Sequence, residues 1–126
     1  MTASAVSKRH ILVVDDEPLV CETVTMLLQI DGHLVASAHS ATEALAVFES
    51  DKFDLVITDF FMPAMTGGEL AAAIKIRAPK QPVVLLTAYA ERFRSPGYPL
   101  GGIDFVMDKP IPMETLREAI TRFACG

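Results

Sequence analysis

Five short runs of consecutive apolar residues punctuate this chain, and they constrain its fold more than any other feature. They read HILVV (10–14), HLVASA (33–38), LVIT (55–58), VVLLT (83–87) and DFVM (104–107). A strand with one wet face alternates apolar and polar residues, whereas continuous apolar runs imply burial on both faces. Helical patterns separate the runs. Pro18 to Ile30 carries Val20, Val24 and Leu27 at helical spacing, with Pro18 suited to a first turn and Gly32 to a stop. Ser40 to Glu43 has the form of a capping box ahead of Ala41, Ala44, Leu45 and Phe48. Thr66 to Glu69 offers a second box before Leu70, Ala73, Ile74 and Arg77, and Pro79 ends that helix. Pro112 opens a last helix whose face is Met113, Leu116, Ile120 and Phe123.

Five βα repeats with doubly buried strands predict a parallel sheet between two layers of helices. Right-handed crossovers then give a three-layer α/β/α domain, a flavodoxin-like doubly wound sheet of order 2-1-3-4-5. At 126 residues, one domain over 9–126 is expected, with residues 1–8 as a flexible tail. The fourth helix fits poorly, because AERFRSPGYPLGG (90–102) holds Pro96, Gly97, Pro99, Gly101 and Gly102. We expect one or two turns over Ala90–Arg94, then an irregular loop.

No apolar stretch approaches a membrane span, and MTASAVSKRH has no signal-peptide pattern. Cys21 and Cys125 lack metal or disulfide-framework spacing, so Cys21 reads as a packed thiol and the compartment as cytoplasmic. A net charge of −5, with scattered basic residues, argues against direct nucleic-acid binding. His10, His33 and His39 show no metal spacing.

In an open parallel sheet, chemistry gathers beyond the carboxyl ends of the strands. Asp15, Asp16 and Glu17 follow the first run, Asp59 the third, and Lys109-Pro110 the fifth, while Thr87 ends the fourth. Each alone has a plain structural role: a helix cap for Asp15, Asp16 or Thr87, a surface amine for Lys109. Together they bring three carboxylates, a hydroxyl and an amine to one edge. Clustered carboxylates repel, and a hard divalent cation relieves the repulsion. All-oxygen ligation suggests Mg²⁺ or Mn²⁺. A carboxylate can attack phosphorus to give an aspartyl phosphate, with Lys109 and Thr87 serving the phosphoryl oxygens. No GxxxxGK[ST] phosphate loop is present, so a bound nucleotide is not indicated.

The motifs VVDDEP (13–18), ITDFFMPAMTG (57–67), VVLLTAYA (83–90) and FVMDKP (105–110) resemble a receiver domain of two-component response regulators, over residues 10–124. The resemblance implies that Asp59 takes a phosphoryl group from a phosphohistidine of a histidine kinase or phosphotransfer protein. It implies that Asp16, Asp59 and the Phe61 backbone carbonyl bind Mg²⁺, with Asp15 acting through water. Thr87 and Lys109 would contact the phosphoryl group, with Pro110 after a cis bond. The output would be a downstream effector or an output domain, with homodimerisation possible, and catalysis would be limited to self-phosphorylation and slow dephosphorylation. A pattern departure is Val106, where the family usually carries Tyr or Phe; Phe105, one residue earlier, should face the other way. Phe61 and Tyr89 flank the site and are expected to shield it from water. Two other readings are a degenerate receiver acting only as an interaction module, and a haloacid-dehalogenase-like phosphatase. The latter wants a carboxylate where Phe61 stands.

Overall fold

The structure, a computed structural model, describes residues 8–94 and 101–124. The expected tail lies outside the described residues except for Lys8, as do Cys125 and most of the expected loop after Arg94. Five strands, β1 (His10–Val14), β2 (Leu34–Ala38), β3 (Leu55–Thr58), β4 (Val83–Thr87) and β5 (Phe105–Asp108), form one sheet. Every pairing is parallel and the order is β2-β1-β3-β4-β5, as expected. The helices are α1 (Pro18–Ile30), α2 (Ala41–Ser50), α3 (Gly67–Arg77), α4 (Ala90–Arg94) and α5 (Met113–Phe123).

The period-2 alternation of strands sorts the core into two halves. Leu12, Val14, Val56, Val83, Leu85 and Val106 face α2, α3 and α4, burying Ala44, Leu70, Ile74 and Phe93. Ile11, Val13, Leu55, Ile57, Val84 and Met107 face α1 and α5, burying Cys21, Val24, Leu28, Leu116 and Ile120. Each buried Leu, Ile or Val removes enough apolar surface to contribute roughly 1.5–3 kcal/mol, which is why continuous apolar runs were required.

Several details differ from the expectation. β2 is an edge strand, and its Leu34 is 66% exposed, so burial on both faces holds for the interior strands only. On α3, Ala71 is fully buried while Arg77 faces outward to pair with Glu49 at 2.7 Å. Thr66 and Glu69 complete their capping box. At α2 only half the box forms: Ser40 accepts the Glu43 amide at 3.0 Å, but the Glu43 carboxylate reaches one residue further, to the His39 amide at 2.7 Å. α5 begins at Met113, with Pro112 as its N-cap residue. β5 begins one residue late because Asp104 is used as a clip. Its Oδ2 accepts the Val83 amide at 2.8 Å and the Lys75 ammonium at 2.7 Å.

The loop from Asp59 into α3 decides how the site is built. Gly67 and Gly68 open α3 without a positive φ at either. Their role is space. A Cβ on Gly67 would collide with the Asp59 carbonyl oxygen, and its amide donates to Phe60 O at 2.8 Å. The start of α3 therefore lies directly against the backbone of Asp59.

Candidate functional site

The carboxyl ends of β1 and β3 are neighbours at the centre of the sheet, so the residues that follow them must meet. Asp15, Asp16 and Asp59 do, with one carboxylate oxygen of each within 4.8 Å of the others. Asp15 and Asp59 are buried, and Asp16 is the most exposed of the trio. Lys109, carried in from the end of β5, stands between them. Its ammonium lies 2.8 Å from Asp15 Oδ2 and 3.6 Å from Asp59 Oδ1. The Lys109–Pro110 peptide is cis, as expected.

Burial is the main electrostatic fact. It pushes the Asp59 carboxyl up to about 6, with Lys109 opposing and the charges of Asp15 and Asp16 assisting. Burial also opposes the charge on Lys109, but the hydrogen bond to Asp15 and the Asp59 carboxylate together hold its pKa above the ordinary value. In the Cys21 thiol, burial and then the Asp15 charge push the pKa up to about 11, which fits the packed thiol read from sequence.

Asp15 does not cap α1, whose N-cap residue is Glu17 with no side-chain cap bond; its Oδ1 instead accepts the Glu17 amide at 2.9 Å. Thr87 likewise accepts the Tyr89 amide at 3.1 Å through Oγ1 while fully buried. A cleft of about 420 Å³ opens over the cluster, lined by Asp16, Asp59, Phe61, Thr87, Tyr89 and Lys109 among others. The rings of Phe61 and Tyr89 meet edge to face at 5.5 Å across it. Both are about half exposed, so they form a wall rather than a plug.

Val106 lies on the other side of the sheet from its neighbour Phe105, as the strand period requires. Val106 is packed in the core beside α4, whereas Phe105 stacks on Phe123 at 5.3 Å, with Arg122 5.7 Å from its ring centre. Sequence reasoning missed several supports. Thr58, fully buried, donates its hydroxyl to Asp59 O at 2.8 Å. Cys21 Sγ and His39 Nδ1 each lie 3.3 Å from the Asp15 carbonyl oxygen. Ala88 and Glu17 complete the cleft wall. Only Glu17 was signalled, by its place in the run Asp15-Asp16-Glu17.

This donor set of three carboxylates fits a hard divalent cation. The family model described as response regulator receiver domain matches residues 11–121. The chain belongs to the response regulator receiver domain family. The transcriptional regulatory protein GlrR of Escherichia coli (strain K12) is 34% identical over 111 residues, covering 88% of this chain and 25% of GlrR. The sensor histidine kinase AruS of Pseudomonas aeruginosa is 34% identical over 122 residues, covering 94% of this chain and 12% of AruS. The chain thus spans a quarter or less of these curated relatives. Among solved structures, the response regulator TrrA of Thermotoga maritima, in complex with Mg²⁺ and BeF, is similar with a TM-score of 0.83. It is 35% identical, with 91% of this chain and 98% of TrrA covered. Receiver domains are signalling domains of two-component systems, and this acidic cluster fits the phosphorylation and Mg²⁺ binding associated with them. Among the described residues no helix is long and apolar enough to cross a membrane.

Proposed function

We propose that this receiver domain is a phosphoryl-accepting switch in which Asp59 is the acceptor. The observation that carries the reading is the convergence of Asp15, Asp16 and Asp59 with the Lys109 ammonium at one strand edge. An ionised Asp59 oxygen attacks the phosphorus of a phosphohistidine on a histidine kinase or phosphotransfer protein. The new P–O bond forms as the P–N bond breaks, and the electron pair departs with the imidazole nitrogen, which takes a proton. Lys109 holds a positive charge beside the oxygens on which negative charge builds up. Asp15, Asp16, Asp59 and the Phe61 backbone carbonyl are suited to hold Mg²⁺ or Mn²⁺, with Asp15 acting through water. When bound, that cation neutralises the transferred group and aligns it. The Thr87 hydroxyl then bonds a phosphoryl oxygen, and the 87–110 surface changes for an output domain or a separate effector.

Phe61 and Tyr89 are assigned as modulators that limit the approach of water and lengthen the life of the phosphoryl group. An apolar groove of about 500 Å³ beside the cluster supports docking of the phosphodonor protein. Leu19, Val20, Leu27 and Ile111 line it, and it shares Glu17 and Lys109 with the reactive cleft. The site is assigned to the cytoplasm, with protein rather than nucleic-acid partners and homodimerisation as an available output.

The test is a time course of intact mass with acetyl phosphate and Mg²⁺. The protein gains one phosphoryl group, Asp59→Asn gains none, and Lys109→Ala slows uptake roughly tenfold or more. After donor removal the group is lost faster from Phe61→Asn and Tyr89→Ala than from the unsubstituted protein. A gain in Asp59→Asn equal to that of the unsubstituted protein defeats the assignment, and equal loss rates defeat the modulator role.

A further inference from the structure

A route from Asp59 to the outer edge of the sheet is built into α4, and it differs from an aromatic side chain turning on β5. Val106 is 7% exposed and enclosed by the core, and Phe105 is committed to Phe123 on the opposite face. Aromatic rings are concentrated instead between the cleft and α4. Phe61 forms the cleft wall with Tyr89, and Phe61 also lies 5.9 Å from Phe93 of α4. Phe93 is 2% exposed and packs on Phe60, the residue after Asp59, at 4.5 Å. The backbone amide of Tyr89 is tied to Thr87 Oγ1. Both halves of the cleft wall thus lead into one five-residue helix.

The far end of that helix is fastened to β5. Arg94, the last residue of α4, donates from Nη2 to the carbonyl of Val106 at 2.9 Å and from Nη1 to Asp108 Oδ2 at 3.2 Å. β5 is an edge strand, so this guanidinium takes up an edge carbonyl that has no neighbouring strand beyond it. Asp108 is opposite Thr87 in the β4–β5 ladder and adjoins Lys109. The ionic half of the contact is half exposed on both sides, which makes it a weak bond of the kind that a local change can open.

We propose that α4 is an arginine latch on the edge of β5, released through the aromatic cluster when Asp59 carries a phosphoryl group. The inference rests on Asp59 being the acceptor. A phosphoryl group entering the cleft adds bulk where Phe61 and Tyr89 meet, and one of its oxygens accepts the Thr87 hydroxyl proton and draws that side chain toward Asp59. Tyr89, whose amide is bonded to that hydroxyl oxygen, moves with it, Phe93 follows the moving wall, and Arg94 leaves Val106 and Asp108. The edge of β5 is then uncovered beside the site for an output partner to read.

The experiment uses beryllofluoride with Mg²⁺ as the phosphoryl analogue, on the full chain and on Arg94→Ala. Fluorine NMR reports the adduct, and amide hydrogen exchange reports the 89–94 and 105–108 segments. In the unsubstituted protein, adduct formation is expected to speed exchange across 89–94 roughly threefold or more. In Arg94→Ala the adduct signal persists at wild-type level, exchange is already fast without it, and the adduct adds little. An adduct signal with unchanged exchange at 89–94, or Arg94→Ala exchanging as the unsubstituted protein in both states, overturns the latch alone. Absence of any adduct signal overturns the acceptor assignment and the latch with it.

Discussion

Asp59 combines two properties that conflict, since it is buried and must be ionised to attack phosphorus. Burial raises its pKa from 3.8 to about 6, so in the metal-free fold its ionisation costs stability. Because the folded value lies above the unfolded one, no cost arises below about pH 4. The cost grows between pH 4 and 6 and is complete above pH 6. Asn at this place cannot ionise. In the presence of a chelator, Asp59→Asn should therefore be more stable than the unsubstituted protein by about 1–3 kcal/mol at pH 7.5. The gain should shrink toward zero at pH 4. Urea unfolding across that range checks it, and a gain that does not vary with pH contradicts the burial argument. Residues such as Asp59 and Lys109 were legible in the sequence because each follows an apolar run, and a run predicts where its end must lie. Thr58 and Cys21 were not, because a hydroxyl or thiol that serves a backbone carbonyl leaves no pattern in a linear chain.

At the scale of elements, the sequence spacing located strands and helices well where burial demanded it, and poorly where a single side chain decided the boundary. Interior strands β1, β3 and β4 match their apolar runs residue for residue. β5 does not, because Asp104 looked like the first residue of a strand and is instead a clip between β4 and α3. The β3–α3 connection shows a similar limit. A glycine pair in a linear sequence does not tell backbone freedom from lack of space, and at Gly67 the structure requires the absence of a Cβ against the Asp59 carbonyl. Ala64, in the same loop, carries the positive φ of 72° that a glycine would favour. Gly67→Ala should accordingly lower stability by roughly 2–4 kcal/mol, more than α-helix propensity could repay. Gly68→Ala meets only the far end of the Phe60 ring and should be much milder. Thermal or urea unfolding of the two variants distinguishes the explanations; equal losses would mean that the close approach at Gly67 is not the cause.

For the whole molecule, the arrangement follows from topology. A β2-β1-β3-β4-β5 order puts β1 and β3 side by side, so Asp15 and Asp59, 44 residues apart in the chain, must share an edge. Lys109 completes the site from β5, two strands away from β3, which only a long side chain can do. The opposite end of the sheet is closed by unrelated contacts such as the two-pronged Arg117–Asp31 pair joining α5 to α1. On the function proposed above, the shared edge serves to place a phosphoryl group on Asp59. Borohydride reduction of protein treated with acetyl phosphate and Mg²⁺ converts an aspartyl phosphate to homoserine, which peptide mass mapping can locate. Homoserine is expected at position 59, dependent on Mg²⁺. Homoserine at Asp15 or Asp16 instead, or none under conditions that label the protein, would contradict it.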